Sequence, residues 1–137
     1  MLRRILFLAV LIGSTLVAIP SAPAAATYGC PGNRDSWREY RDSAGVVAAA
    51  LQTYKTADGV CVSLVAKNKY AGRSKFMSLK LCNTARQQCT AVDEGMFKEY
   101  AGPIYYSARC VYALSRMNDG QGGVIIDGHW NSAGACN

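Results

Sequence analysis

Histidine is nearly missing from this chain, with His129 the only one in 137 residues. The closest cysteines, Cys82 and Cys89, still have six residues between them. Zinc sites use four Cys or His ligands that arrive in tighter pairs, so this pattern argues against a structural metal. No Walker pattern or dinucleotide fingerprint occurs. The one glycine cluster, Gly120-Gln121-Gly122-Gly123, precedes a strand pattern instead of following one, so it reads as a flexible connector. Repeats, low-complexity tracts and dividing linkers are also missing. Nothing here points to a cofactor.

The single histidine also restricts catalysis. A Ser-His-Asp triad has to use His129, with Asp127 two residues earlier on the same expected strand face. No serine stands in a nucleophile-elbow context, so the plain reading is a surface histidine beside Trp130. Glu94 and Glu99 are the other candidate pair, for glycoside hydrolysis, which needs two carboxylates across a cleft. They flank Gly95, Met96 and Phe97 and read as a solvated turn. The expectation is a non-enzyme with no catalytic residues.

What is present begins with an export signal. Arg3 and Arg4 precede an apolar run, Ile5–Val10, that continues through Leu11–Ile12 and Leu16–Ile19. Small residues Ser21–Ala26 follow, the order of a secretory signal peptide. Gly13-Ser14-Thr15 and Pro20 interrupt the apolar part, which argues against a retained membrane span. Residues 1–26 are therefore expected to be removed after Ala26. Residues 27–137 then form one exported domain, acting outside the cell or on its surface. Without Arg3 and Arg4, 13 basic residues face 9 acidic ones, leaving a net charge of +4. That favours weak attraction to anionic surfaces, such as teichoic acids or acidic glycans, and gives no reason to infer nucleic-acid binding.

All six cysteines, Cys30, Cys61, Cys82, Cys89, Cys110 and Cys136, follow the cleavage point. An even count in an exported chain predicts three disulfides. Phe76–Cys82 alternates, with Met77, Leu79 and Leu81 on one face and Ser78 and Lys80 on the other. Cys82 and Cys89 both fall on the outward face of the hairpin this predicts, so they are expected to pair. Ile104–Leu114 reads as the longest strand, with Cys110 facing the core beside Ile104 and Tyr106. Cys61 lies opposite Val62, Leu64 and Ala66 and so points outward, which disfavours a Cys61–Cys110 bond. Two pairings of the remaining four stay open: Cys30–Cys110 with Cys61–Cys136, or Cys30–Cys61 with Cys110–Cys136.

Asp58-Gly59 between apolar runs predicts a hairpin of Val46–Lys55 and Val60–Lys67 with a type I′ turn, although Ala48–Gln52 is also good helix sequence. Val124–Trp130 is a further strand. The charged segment 27–44 is expected to be irregular, with a helical turn or two over Asp35–Arg41 that packs Trp37 and Tyr40 on the body. The fold class is all-β, a small antiparallel sandwich or barrel of about six to seven strands.

Two sets of residues suggest binding. Lys67, Lys69, Arg73, Lys75 and Lys80 fall within 14 residues that contain no acid. They read as a solvated face or as a docking patch for an acidic partner. Among eight tyrosines and two tryptophans, Tyr105 beside Arg109, with His129 and Trp130, forms a possible recognition surface for a sugar or peptide. Cross-strand packing explains the same tyrosines equally simply.

The run Tyr100-Ala101-Gly102-Pro103-Ile104-Tyr105-Tyr106-Ser107-Ala108-Arg109-Cys110-Val111 resembles the spore-associated protein A family of actinobacteria, whose members carry a Tyr-Ala-Gly-Pro-Val-Tyr run before a cysteine-bearing strand. Cys30, the Gly45–Tyr54 strand, Cys61-Val62-Ser63-Leu64-Val65 and Cys136 follow the family's order. Cys82 and Cys89 are additions to its four cysteines, and Tyr112-Ala113-Leu114-Ser115 replaces its Asp-Trp-Gly-Gly. The resemblance implies a small secreted β-protein at the cell or spore surface and brings no catalytic residues. The alternative is a protein-binding module, either an extracellular protease inhibitor or an adaptor subunit of a secreted toxin-type complex. Its partner would then be another extracellular protein instead of a cell-wall or spore component. Physically, Tyr100–Pro103 reads as a chain reversal, with Gly102 free to take positive φ.

Overall fold

The computed structural model describes residues 28–136, so the expected signal peptide and cleavage point lie outside the described residues. The chain is all-β: β1 (Arg34–Arg41), β2 (Val47–Lys55), β3 (Val60–Ala66), β4 (Lys75–Cys82), β5 (Cys89–Phe97), β6 (Tyr100–Tyr106), β7 (Cys110–Asn118) and β8 (Val124–Gly134). A 3-10 turn, Asn68–Tyr70, links β3 to β4. Sheet A has the order β1-β2-β3-β6 and sheet B the order β5-β4-β7-β8, all neighbours antiparallel. The sheets face each other as a sandwich. Among the described residues, no helix is long and apolar enough to cross a membrane.

Strict alternation builds the core. Val60, Val62, Leu64 and Ala66 from β3 meet Met77, Leu79 and Leu81 from β4, with Val111, Ala113 and Met117 from β7. All are fully or almost fully buried, and each large side chain there contributes roughly 1.5–3 kcal/mol by leaving water.

Several expectations are corrected. Segment 27–44 is not wholly irregular, because Arg34–Arg41 is a strand paired along β2, and no helix forms over Asp35–Arg41. Its charges suit an exposed edge strand, while Tyr40 is the one side chain that β1 buries in the core. The β2–β3 hairpin forms, but Asp58 and Gly59 do not take positive φ. The loop is four residues, closed by the Thr56 N–H donating to the Gly59 carbonyl at 3.0 Å. Glycine is needed at 59 for a different reason: a Cβ there would overlap the Tyr106 carbonyl oxygen.

The expected long strand is two strands in different sheets. Ser107–Arg109 carries the chain around a corner from β6 in sheet A to β7 in sheet B. The alternation restarts after that corner, so Val111, Ala113, Ser115 and Met117 face the core and Cys110 does not. Tyr100–Pro103 is likewise no chain reversal. It lies within β6, where the register slips between Val62 and Leu64 of β3. Gly102, at φ +98°, brings its backbone so close that a Cβ would sit 2.8 Å from the Val62 carbonyl oxygen.

The disulfides are Cys30–Cys61, Cys82–Cys89 and Cys110–Cys136, with no free cysteine among the described residues. This removes the alternative of Cys30–Cys110 with Cys61–Cys136. Cys61 does point away from the core. Cys110 does too, but from the other sheet, so the sandwich itself separates these two.

Candidate binding face

Sheet A turns its outer face toward a short strap, Tyr28–Cys30. The strap is fixed by the Cys30–Cys61 bond and by Ser63 Oγ donating to the Tyr28 carbonyl at 3.0 Å. The Tyr105 hydroxyl donates to the Gly29 carbonyl at 3.3 Å, and the Tyr28 ring meets Tyr100 edge to face at 5.5 Å. Beneath the strap, Tyr54 is buried and its hydroxyl donates to Gln52 Oε1 at 2.8 Å. Burial pushes the Tyr54 phenol up, with nearby Arg34 pulling it down.

Beside the strap stands a cation–aromatic cluster. The Arg34 guanidinium lies 4.7 Å from the Trp37 ring centroid. Lys67 Nζ sits between two rings, 5.4 Å from Tyr28 and 5.7 Å from Trp37. Trp37 remains 47% exposed and Tyr105 56% exposed. In a regular strand, residues three apart face opposite sides. The irregularity between Arg34 and Ser36 puts Arg34 opposite Tyr54 and Trp37 opposite Gln52, both on the outer face. Such a face offers ring surfaces for apolar or planar groups and two cations for negative ones.

The expected recognition set is divided. Tyr105 belongs to this face, whereas Trp130 pairs with Leu114 on the outer face of sheet B. His129 is exposed, as expected of a surface histidine, although its register partner Ser115 faces the core and its ring stacks on Tyr40, with centroids 5.6 Å apart. Arg109 stands at the corner and lines a cleft of about 290 Å³ with Lys55, Thr56 and Gly134. Asp127 and His129 do not form a dyad: a register slip opposite Arg116 sets Ile126 and His129 against core-facing Met117 and Ser115, and Asp127 is exposed between them. Glu94 accepts the Ser78 hydroxyl at 3.1 Å on the outer face of sheet B, and Glu99 lies in the β5–β6 turn.

The run of five cations does not assemble into one patch either. Only Lys67 reaches the face just described. Lys69 is 2.9 Å from Asp42, whose same oxygen accepts the Tyr70 hydroxyl at 2.8 Å. Lys75 is only 2% exposed, and its Nζ donates to the Arg73 and Lys98 carbonyls at 2.7 Å each. Burial pulls its ammonium below the usual lysine range, so Lys75 is a structural clasp. Arg73 is exposed on the loop before β4, and Lys80 lies on the outer face of sheet B.

Sequence reasoning missed Tyr28, Arg34, Trp37 and Tyr100 as members of one face. The charge-rich segment around Trp37 was readable as an edge strand, but the irregularity that aligns Arg34 with Trp37 has no sequence signature.

No family model, no curated protein and no solved structure matches this chain.

Proposed function

We propose that this chain is a secreted, non-enzymatic protein that associates with an actinobacterial cell or spore surface. It holds to an acidic surface component through the outer face of sheet A. The observation that carries this reading is the Arg34–Trp37–Lys67–Tyr28 cluster, where two cations are held over rings that remain open to solvent. Three disulfides suit an oxidising compartment, and the resemblance of Tyr100–Cys110 to spore-associated protein A supports the location. The alternative, a module that docks on another secreted protein, is favoured by β1, which has a partner strand on one side only.

The test is co-sedimentation of the protein with purified actinobacterial walls or spores. It should pellet in low salt, be released by high salt, and lose binding when Trp37 and Lys67 are both replaced by Ala. A parent protein that stays in the supernatant in low salt refutes the surface reading. Stoichiometric recovery with one protein from culture medium supports the alternative. Deleting 27–42 would not be a clean test, because it removes β1 and core residue Tyr40.

A further inference from the structure

The opposite face of the sandwich carries a second aromatic–cation arrangement, built differently. On sheet B, Trp130 lies opposite Leu114, Leu114 opposite Lys80, and Lys80 opposite Val92, so one outward row crosses all four strands. Val92 is 49% exposed, and Trp130, Leu114 and Lys80 are partly exposed. Tyr112, one step along β7 on the same face, stands opposite Cys82.

Arg86 reaches over this row from the β4–β5 hairpin loop. Its guanidinium is 4.7 Å from the Tyr112 ring centroid and 5.9 Å from that of Trp130. The loop is closed by Cys82–Cys89, by Asn83 N–H donating to the Gln88 carbonyl, and by Arg86 N–H donating to the Asn83 carbonyl, both at 2.9 Å. Arg86 itself adopts φ +58°, in the left-handed region that residues other than glycine seldom take. Among the described residues, ion pairs join Arg41 to Glu39, Lys55 to Asp35 and Lys69 to Asp42, and none engages Arg86 or Lys80.

We infer that this row is a second binding site, which takes a chain of carboxylate-bearing sugars. A guanidinium beside aromatic rings keeps its N–H donors in its own plane, where they match a carboxylate two bonds at a time. Trp130, Tyr112 and Leu114 offer ring and aliphatic surface to the apolar faces of pyranoses. Adjacent strands are about 4.8 Å apart, the scale of one sugar ring, so a chain lying across the strands meets the Trp130 ring, the aliphatic Leu114, the Lys80 cation and Val92 in turn. An acidic peptide adding as a strand needs an open sheet edge. The middle of the row lies on β4 and β7, which have a neighbouring strand on both sides, and only its ends reach the edge strands β5 and β8. The site is independent of the sheet A face, so a protein with both is able to bridge two acidic chains.

Two tryptophans in the whole sequence allow each face to be read alone. In the disulfide-intact Trp37→Phe variant, Trp130 is the sole tryptophan reporter. Titration with a trimer of galacturonic acid should change its fluorescence saturably. Arg86→Gln should weaken that binding at least tenfold, and Lys80→Gln, a milder change outside the loop, should weaken it several-fold. Neutral cellotriose should bind at least tenfold more weakly. No saturable change, or affinity within twofold of the parent in both variants, overturns the site. Equal affinity for tetraglutamate or inorganic phosphate overturns the sugar assignment. The Trp130→Phe variant reports sheet A through Trp37, so failure on one face is distinguishable from failure on the other.

Discussion

Removing the Cys30–Cys61 bond tests how the strap supports the sheet A face. The two cysteines are 31 residues apart, the widest spacing of the three bonds. In the chain-entropy model, opening a loop of that length costs about 3.7 kcal/mol, against about 2.3 kcal/mol for the seven-residue Cys82–Cys89 loop. Both Cys30 and Cys61 are buried, so replacing them with Ala also deletes two packed sulfur atoms and adds to the loss. For a domain of this size, each kcal/mol lowers Tm by roughly 4 °C, which puts the fall near 15 °C. The assay is thermal and guanidinium unfolding of Cys30→Ala/Cys61→Ala beside Cys82→Ala/Cys89→Ala, each with its other two bonds intact. The first variant should also lose wall binding at temperatures where it remains folded, because Tyr28 is no longer held against Tyr100 and Lys67. A smaller Tm loss from the Cys30–Cys61 pair than from the Cys82–Cys89 pair would refute the loop-closure reasoning. Unchanged wall binding would show that the strap does not shape the face.

Two further outcomes follow from side-chain polar contacts. Hydrogen bonds from Lys69, then Tyr70, hold the Asp42 carboxyl well below the usual aspartate range. Asp42 therefore stabilises the fold fully above its unfolded pKa of about 3.9, and that contribution is lost as pH falls below this value. Asp42→Asn should flatten the acid limb of the stability–pH curve between pH 4 and 2, read by urea unfolding at each pH; a limb of unchanged slope would contradict this. Tyr40→Phe removes the hydroxyl that donates to Ser115 Oγ at 3.2 Å and accepts from Asn131 Nδ2 at 2.8 Å. With Ser115 fully buried, the cost should be about 1–3 kcal/mol in the denaturant midpoint, and no measurable change would show that water replaces the hydroxyl.

Local patterns determine a good deal of this architecture independently of tertiary contacts. Met77, Leu79 and Leu81 alternate with Ser78 and Lys80, and that period of two assigns β4 its core face wherever the strand is placed. The even cysteine count set the number of crosslinks, and the hairpin around Cys82 and Cys89 set one pairing, because partners seven residues apart meet through local geometry alone. Tertiary structure decided what depends on distant neighbours. Ser107–Arg109 turns a continuous apolar alternation into a corner between two sheets, which reversed the side on which Cys110 lies and left Cys136 as its partner. The slip at Arg34–Ser36 brought Arg34 and Trp37 onto one face, while the corner and the sandwich sent Tyr105 and Trp130 to opposite ones. Periodicity tells a side chain which way to point relative to its own strand. Which sheet that strand joins, and what lies across from it, is fixed by the packing of both layers around one core.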